Sequence, residues 1–176
     1  MSSHFIPQDD NDTEEKGLEA EQEFRKFLDI IQVPYLPISN EIGKFSAALK
    51  ALLNSKRPDV LLLLGKAGML PVDVKYKSDE RDFSSYLLDC TDIERYLNFS
   101  DAFGIDVWYA ISNRQLMYAT WYWLAINDVK RLKFRRKGTS RGECYVAPKK
   151  DLITVSAKLE KPLAGVLCRL AMPSSR

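Results

Sequence analysis

The sequence lacks most of the chemistry of common hydrolytic sites, because its 176 residues include a single histidine, His4. His4 lies in a polar N-terminal stretch without periodicity, so no imidazole is expected on a rigid scaffold. This excludes a Ser-His-Asp or Cys-His site, a histidine-ligated zinc ion and a histidine general base. If the protein is an enzyme, it uses carboxylates, lysine, arginine and a hard metal ion.

Cysteine and long apolar runs are also scarce. Cys90, Cys144 and Cys168 are odd in number and far apart, which argues against a zinc ribbon or a disulfide framework and favours a reducing compartment. No run of about 18 apolar residues occurs, and the acidic N-terminus lacks the pattern of a signal peptide. We therefore expect a cytoplasmic protein without a membrane partner.

Charge is unevenly distributed although the net charge is only +2. Residues 1–30 contain nine acidic and three basic side chains, whereas residues 127–150 contain nine basic and two acidic ones. A basic segment of this kind indicates a polyanionic partner such as a nucleic acid. A solvated loop or helix face is the alternative interpretation.

Periodicity predicts a disordered acidic tail over residues 1–13 and a single domain over residues 14–176. Thr13 is expected to cap a helix that extends to about residue 31. Strands are predicted at 33–38, 58–64, 69–77, 105–112 and 144–146, with a strand or helix from 152. Helices are predicted at 41–54 and 91–103, and a polar loop at 78–89. This order is typical of a mixed α/β fold with a central sheet of four to five strands flanked by helices.

The most informative pattern joins Asp59 to the triplet Asp73-Val74-Lys75. Strand alternation places Asp73 and Lys75 on one face, about 6.5–7 Å apart along the strand. If the two strands pair through the turn at 65–68, Asp59 lies level with this triplet. Converging carboxylates repel each other unless a cation lies between them, and Mg²⁺ prefers such oxygen ligands. A neighbouring lysine can then assist an attacking water or stabilise charge on a phosphate.

Other interpretations of these residues stay open. Asp73 and Lys75 can form a simple ion pair on a solvated face. Asp106 with the triplet that runs from Asp128 to Lys130 is a rival constellation, although it lacks the preceding proline and the hairpin turn. The aromatic residues of the later strands are more typical of a core than of a surface that stacks on bases; they are Trp108, Trp121, Tyr122 and Trp123.

Three segments in a fixed order carry a family resemblance: residues 16–21 (KGLEAE), 57–60 (RPDV) and 72–75 (VDVK), followed by a helix and the strand GIDVWYAI. This arrangement resembles the PD-(D/E)xK nuclease superfamily, in particular its restriction-endonuclease-like and Holliday-junction-resolvase-like branches. The resemblance implies an αβββαβ core, in which the helix at 41–54 is an insertion and residues 127–176 form a basic C-terminal extension.

By position, the resemblance implies catalytic roles for Glu21, Asp59, Asp73 and Lys75. Glu21, Asp59, Asp73 and the Val74 carbonyl would bind Mg²⁺ or Mn²⁺. Glu23 is the alternative to Glu21, because both lie at the border of the apolar helix face.

The implied function is a Mg²⁺-dependent endonuclease that cleaves DNA, including branched DNA, with metal-activated water; RNA and a homodimer are not excluded. The alternative is a non-catalytic nucleic-acid-binding or protein-docking module of the same fold. The expected nucleic-acid-binding residues are Lys56, Arg57, Lys77, Lys130, Arg131, Lys133, Arg135, Arg136, Lys137 and Arg141.

Overall fold

The computed structural model of the protein describes residues 10–38, 57–78, 84–132, 135–139 and 142–157. Its helices are α1 (Asp10–Ile30), α2 (Cys90–Phe103) and the single turn α3 (Ile126–Val129). Its strands are β1 (Tyr35–Pro37), β2 (Val60–Leu63), β3 (Met69–Tyr76), β4 (Ser85–Asp89), β5 (Trp108–Ser112), β6 (Thr120–Ala125), β7 (Arg135–Thr139), β8 (Gly142–Pro148) and β9 (Ile153–Ser156). The predicted helix at 41–54 lies outside the described residues, as does the predicted tail up to residue 9.

A six-stranded mixed sheet forms the centre of the fold, with strand order β1-β2-β3-β5-β6-β9. β1, β2 and β3 pair antiparallel, β3 and β5 pair parallel, and β5, β6 and β9 again pair antiparallel. This confirms the predicted mixed α/β class and the order of the αβββαβ core. The prediction of four to five strands was too low, because β9 adds to the edge of β6.

Helix α1 covers one face of this sheet because its apolar residues recur at helical spacing. Ala20, Phe24 and Leu28 are buried, and the Phe24 ring meets Trp121 edge to face at 4.8 Å between centroids. The helix begins at Asp10, so the prediction that Thr13 caps it was wrong. The aromatic residues of β5 and β6 are core residues as expected, and only Tyr122 among the four is half-buried.

The β2–β3 hairpin sets the register of the residues that matter most below. Its turn contains Gly65 and Gly68 with φ of 60° and 91°, a backbone region that residues with a side chain rarely adopt. The turn pairs Val60 with Val72, which brings the residue before β2 level with the middle of β3. β2 was predicted to be buried on both faces, but its alternate leucines are only half-buried.

The second face of the sheet is covered by α2 and by a small antiparallel sheet with order β4-β8-β7. Tyr86 of β4, Ala147 of β8 and Tyr96 of α2 pack in one apolar cluster with Tyr109 and Ile111 of β5. The prediction of a polar loop over 78–89 was therefore wrong at its end, where β4 pairs with β8. The strand predicted at 144–146 lies within β8, but the pairing of β8 with β4 and β7 in a separate sheet was not predicted.

Helix α2 is held at both ends by its own sequence. The Asp89 carboxylate accepts hydrogen bonds from the backbone N–H groups of Thr91 at 2.8 Å and Asp92 at 3.1 Å, which is the usual role of an N-cap residue. Gly104 ends the helix with φ of 65°, as its position after the helical pattern predicts. The capping aspartate and the glycine thereby define where α2 begins and ends. In the part of the chain that the structure describes, no helix is long and apolar enough to cross a membrane.

Candidate active site

Asp59 is positioned by the start of β2. Its backbone N–H donates to the Val72 carbonyl at 2.9 Å, and its Oδ2 accepts a hydrogen bond from the Val74 N–H at 2.7 Å. The side chain therefore reaches across to β3 at the level of the triplet, as the strand count predicted. The role of Val74 as a metal ligand would use its carbonyl oxygen, and that role stays a prediction.

Asp73 is almost completely buried, with 1% of its side chain exposed. Its Oδ2 lies 2.8 Å from the Lys75 Nζ, and its Oδ1 accepts a hydrogen bond from the Tyr96 hydroxyl. The Tyr96 oxygen also lies 3.0 Å from the carbonyl oxygen of Arg57. Both carboxylate oxygens of Asp73 are thus oriented by neighbouring groups, which is necessary for a charged group so far from water.

Lys75 points to the same face as Asp73, and 16% of its side chain is exposed. Its Nζ lies 2.8 Å from Asp73 and 3.0 Å from the Asp92 carboxylate, and 5.3 Å from the centre of the Tyr109 ring. Burial disfavours the charged ammonium group, but the Asp73 and Asp92 carboxylates outweigh it and raise the pKa of Lys75 well above its ordinary value. Lys75 is consequently a cation at neutral pH. A role for it as a proton acceptor is disfavoured, whereas stabilisation of negative charge fits.

The acidic residues of the site repel each other. Burial, the charge of Asp73 and, to a smaller extent, the charge of Glu21 raise the pKa of Asp59 to about 8, although the hydrogen bond from the Val74 N–H and the charge of Lys75 act in the opposite direction. A buried acid pair with a raised pKa is typical of functional sites, and a bound cation would relieve the repulsion. Oxygen donors are also the ligands that Mg²⁺ and Mn²⁺ prefer.

Glu21, and not Glu23, is the α1 carboxylate whose charge acts on Asp59. Glu21 has 19% of its side chain exposed and lies 3.3 Å from Arg25. Glu23 forms an ion pair with Lys26 at 2.6 Å. The electrostatic coupling to Asp59 favours Glu21 for the predicted role, which stays a prediction.

The described residues contain no group of three acidic, histidine or cysteine side chains close enough to bind a metal ion together. Mg²⁺ is commonly held by one or two protein carboxylates and keeps several waters. Asp59 and Asp73 meet that smaller requirement by their chemistry, with Glu21 nearby. The residues present therefore fit a divalent ion whose remaining ligands are waters.

The structure does not bring the residues of the rival constellation together on one strand face. Asp106 accepts a hydrogen bond from the Asn127 side chain, and Asp128 pairs with Arg131 at 3.1 Å on the surface. Asp128 lies in the helical turn α3 and not on a strand. The alternation that would place Asp128 and Lys130 on one strand face is therefore absent.

The predicted nucleic-acid-binding residues are only partly described. Lys130 and Arg131 are exposed after α3, and Arg57 and Lys77 are half-buried at the ends of β2 and β3. Arg135, Arg136 and Lys137 lie on β7, of which the backbone is described. Lys56, Lys133 and Arg141 lie outside the described residues.

Two residues of α2 belong to the site although the sequence did not reveal them. Asp92 contacts Lys75 and Tyr96 contacts Asp73. They are four residues apart and so lie on one helix face. The four-residue spacing was the only sign in the sequence that these two side chains act together. It did not single them out, because Tyr96 fits the apolar face of the helix and Asp92 lies in the first turn, where acidic residues are common.

Replacing Tyr96 with phenylalanine is expected to lower the free energy of unfolding by about 1–2 kcal/mol. The substitution keeps the ring but leaves Asp73 Oδ1 without the Tyr96 donor in a buried position. Urea unfolding measures the change. Tyr145→Phe, at a half-buried tyrosine of β8, serves as the control and should change the free energy by less than about 0.5 kcal/mol. Equal stability of Tyr96→Phe and the wild type would contradict the contact with Asp73.

Comparison with known proteins gives a structural likeness without a sequence match. No family model matches the chain, and no curated protein matches it. A solved structure of Archaeoglobus fulgidus Hjc, described as a Holliday junction resolvase from an archaeal hyperthermophile, matches with a TM-score of 0.51 and 13% identity. The match covers 89% of this chain and 100% of Hjc. The protein thus has a fold like that of a Holliday junction resolvase, which supports the predicted PD-(D/E)xK resemblance at the level of the fold.

Proposed function

We propose that the protein is a metal-dependent nuclease that hydrolyses phosphodiester bonds in DNA, with branched or otherwise structured DNA as its substrate class. One observation carries this proposal: Asp59, Asp73 and Lys75 converge at the β2–β3 hairpin, with the charge of Glu21 acting on Asp59. A surface ion pair would not require two repelling carboxylates beside a half-buried lysine. The likeness to a junction resolvase supports the substrate class.

Each residue of this set has a separate task in the proposed reaction. Asp59 and Asp73 would hold Mg²⁺ or Mn²⁺ together with waters, and the roles of Glu21 and the Val74 carbonyl as further ligands stay predictions. When bound, the ion would supply Lewis acidity at the phosphate and lower the pKa of an attacking water. Tyr96 orients the Asp73 carboxylate through its hydroxyl group.

Lys75 acts as a fixed positive charge in this scheme. Its ammonium group is held by two carboxylates, so it is oriented before substrate binds. Negative charge develops on the phosphate oxygens during attack, and a preoriented cation stabilises that charge more than a mobile one would. The contribution of Lys75 is therefore to the transition state and little to the binding of DNA.

The basic segment is suited to bind the DNA backbone near this site. β7 belongs to the small sheet, and that sheet packs on the face of the main sheet that carries Tyr109. Tyr109 pairs with Asp73 in register and lies against Lys75. The fold thus carries the basic strand on the same face as the proposed catalytic residues, which supports a DNA-binding role for the basic segment.

Cleavage assays with the purified protein test the proposal. Supercoiled plasmid and a four-way DNA junction are incubated with Mg²⁺ or Mn²⁺, and an EDTA sample is the control. We expect metal-dependent cleavage of both substrates, with faster cleavage of the junction than of a linear duplex of the same sequence added as a third substrate. Binding without cleavage in either metal would support the non-catalytic module instead. Symmetric cleavage of two strands would require a homodimer, which light scattering measures.

The triple substitution of Arg135, Arg136 and Lys137 by alanine is expected to weaken binding to all DNA sequences alike. Each lost phosphate contact should lower the slope of log affinity against log salt by about 0.9, so the slope should flatten by up to roughly 2–3. Binding titrations at four salt concentrations measure the slope. An unchanged slope would contradict the assignment of β7 to the DNA interface even if the protein is a nuclease.

A further inference from the structure

Asp92 is a charged residue of the site for which the proposed reaction provides no task. It lies in the first turn of α2, and its carboxylate is 3.0 Å from the Lys75 ammonium group. A quarter of its side chain is exposed, whereas Asp73, the other partner of Lys75, is 1% exposed. The same ammonium group therefore has one deeply buried counterion and one at the border of solvent.

The position of Asp92 is rigidly set. Its backbone N–H donates to the capping carboxylate of Asp89 at 3.1 Å, which anchors the first turn of α2. One turn later, Tyr96 on the same helix contacts Asp73. Helix α2 thus contacts both members of the Asp73–Lys75 pair, each through a separate side chain.

Asp73 has two tasks that compete. Its Oδ2 pairs with Lys75 at 2.8 Å, and the proposed function assigns it to a divalent cation. If Asp73 were the sole counterion, cation binding would leave a poorly hydrated ammonium group without a charged partner, and such a loss is costly. The electrostatic repulsion between Lys75 and the incoming cation would add to that cost. Asp92 offers Lys75 a second carboxylate that is not part of the proposed ligand set.

We propose that Asp92 is a positioning residue, which holds the Lys75 ammonium group so that the Asp73 carboxylate can bind a divalent cation. This inference rests on the proposed function. Asp92 does not contact the metal ion or the substrate in this scheme. It acts through Lys75 alone, and it keeps the lysine beside the site while Asp73 changes partner.

The test compares Asp92→Asn with Glu94→Gln in the full chain. Glu94 is an exposed acid on the same helix, so its variant removes the same formal charge without a contact to Lys75. Calorimetric titration with Mn²⁺ in the absence of DNA measures metal affinity, and steady-state cleavage of the junction gives kcat and KM. We expect Asp92→Asn to lose about tenfold in Mn²⁺ affinity and at least about tenfold in kcat at an unchanged KM. Glu94→Gln should match the wild type.

A double-mutant cycle with Lys75→Met separates positioning from direct coordination. In the Lys75→Met background, Asp92→Asn should cause no further loss of Mn²⁺ affinity, because the group through which Asp92 acts is absent. A loss of the same size in both backgrounds would overturn the proposal, since Asp92 would then act on the metal ion directly. If Asp92→Asn has the same Mn²⁺ affinity and kcat as the wild type, the proposal is also overturned. In that case the proposed function still stands, provided that the wild-type protein binds Mn²⁺ and cleaves the junction. A wild-type protein that binds no Mn²⁺ would overturn both.

Discussion

Replacing Lys75 with alanine is expected to abolish DNA cleavage, with a loss of at least about 100-fold in kcat. The affinity for DNA should stay nearly intact, because one half-buried lysine contributes little among many basic residues. Single-turnover cleavage of the junction and binding in EDTA measure the two effects separately. Lys66→Ala, at an exposed lysine of the β2–β3 turn, is the control and should cleave like the wild type.

The same substitution leaves Asp73 and Asp92 without their shared cation, and breaking such an ion pair can cost several kcal/mol of stability. Lys75→Arg is therefore the second variant, because it keeps the positive charge. We expect it to stay folded and still to lose cleavage, since the planar guanidinium group places its charge differently from an ammonium group. If Lys75→Ala cleaves DNA like the wild type and Lys130→Ala does not, the catalytic site is the rival constellation of Asp106, Asp128 and Lys130.

Replacing Asp59 with asparagine is expected to abolish cleavage and at the same time to stabilise the metal-free protein. Burial and the charge of Asp73 raise the pKa of Asp59 to about 8, so the folded state binds a proton that the unfolded state releases near pH 4. The contribution of Asp59 to stability is therefore greatest below pH 4 and is lost as the pH rises from about 4 to about 8. At pH 8, Asp59→Asn should raise the free energy of unfolding by about 1–3 kcal/mol.

Urea unfolding in EDTA at pH 5 and pH 8 measures this difference. The wild type should lose stability between the two pH values by more than Asp59→Asn does. Asp106→Asn, at an exposed acid outside the site, should follow the wild type at both. Addition of Mg²⁺ should stabilise the wild type and not Asp59→Asn, because ligand binding to the folded state alone raises stability. A variant less stable than the wild type at pH 8 would show that Asp59 is not repelled by its neighbours.

The sequence alone determined the hairpin part of the fold and its charged residues. Alternation along β3 placed Asp73 and Lys75 on one face, and the two-glycine turn placed Asp59 level with them. These relations depend on residues less than 20 positions apart, so local geometry is sufficient to derive them. The apolar spacing of α1 predicted a helix in the same way, although its start at Asp10 differed from the expected cap.

Only the tertiary structure decided which residues surround that hairpin. β4 is five residues long, and its pairing partner β8 lies more than 50 residues later in the chain. A local pattern therefore predicted a strand at 144–146, within β8, but not its pairing with β4. Asp92 and Tyr96 had ordinary explanations on α2, and their contacts with Lys75 and Asp73 depend on how that helix packs. The charge effect of Glu21 on Asp59 likewise depends on how α1 packs on the sheet, and it favours Glu21 over Glu23 for a role that stays a prediction. Contacts between distant segments follow from the packing of whole elements, and a pattern in one segment carries no record of its partner.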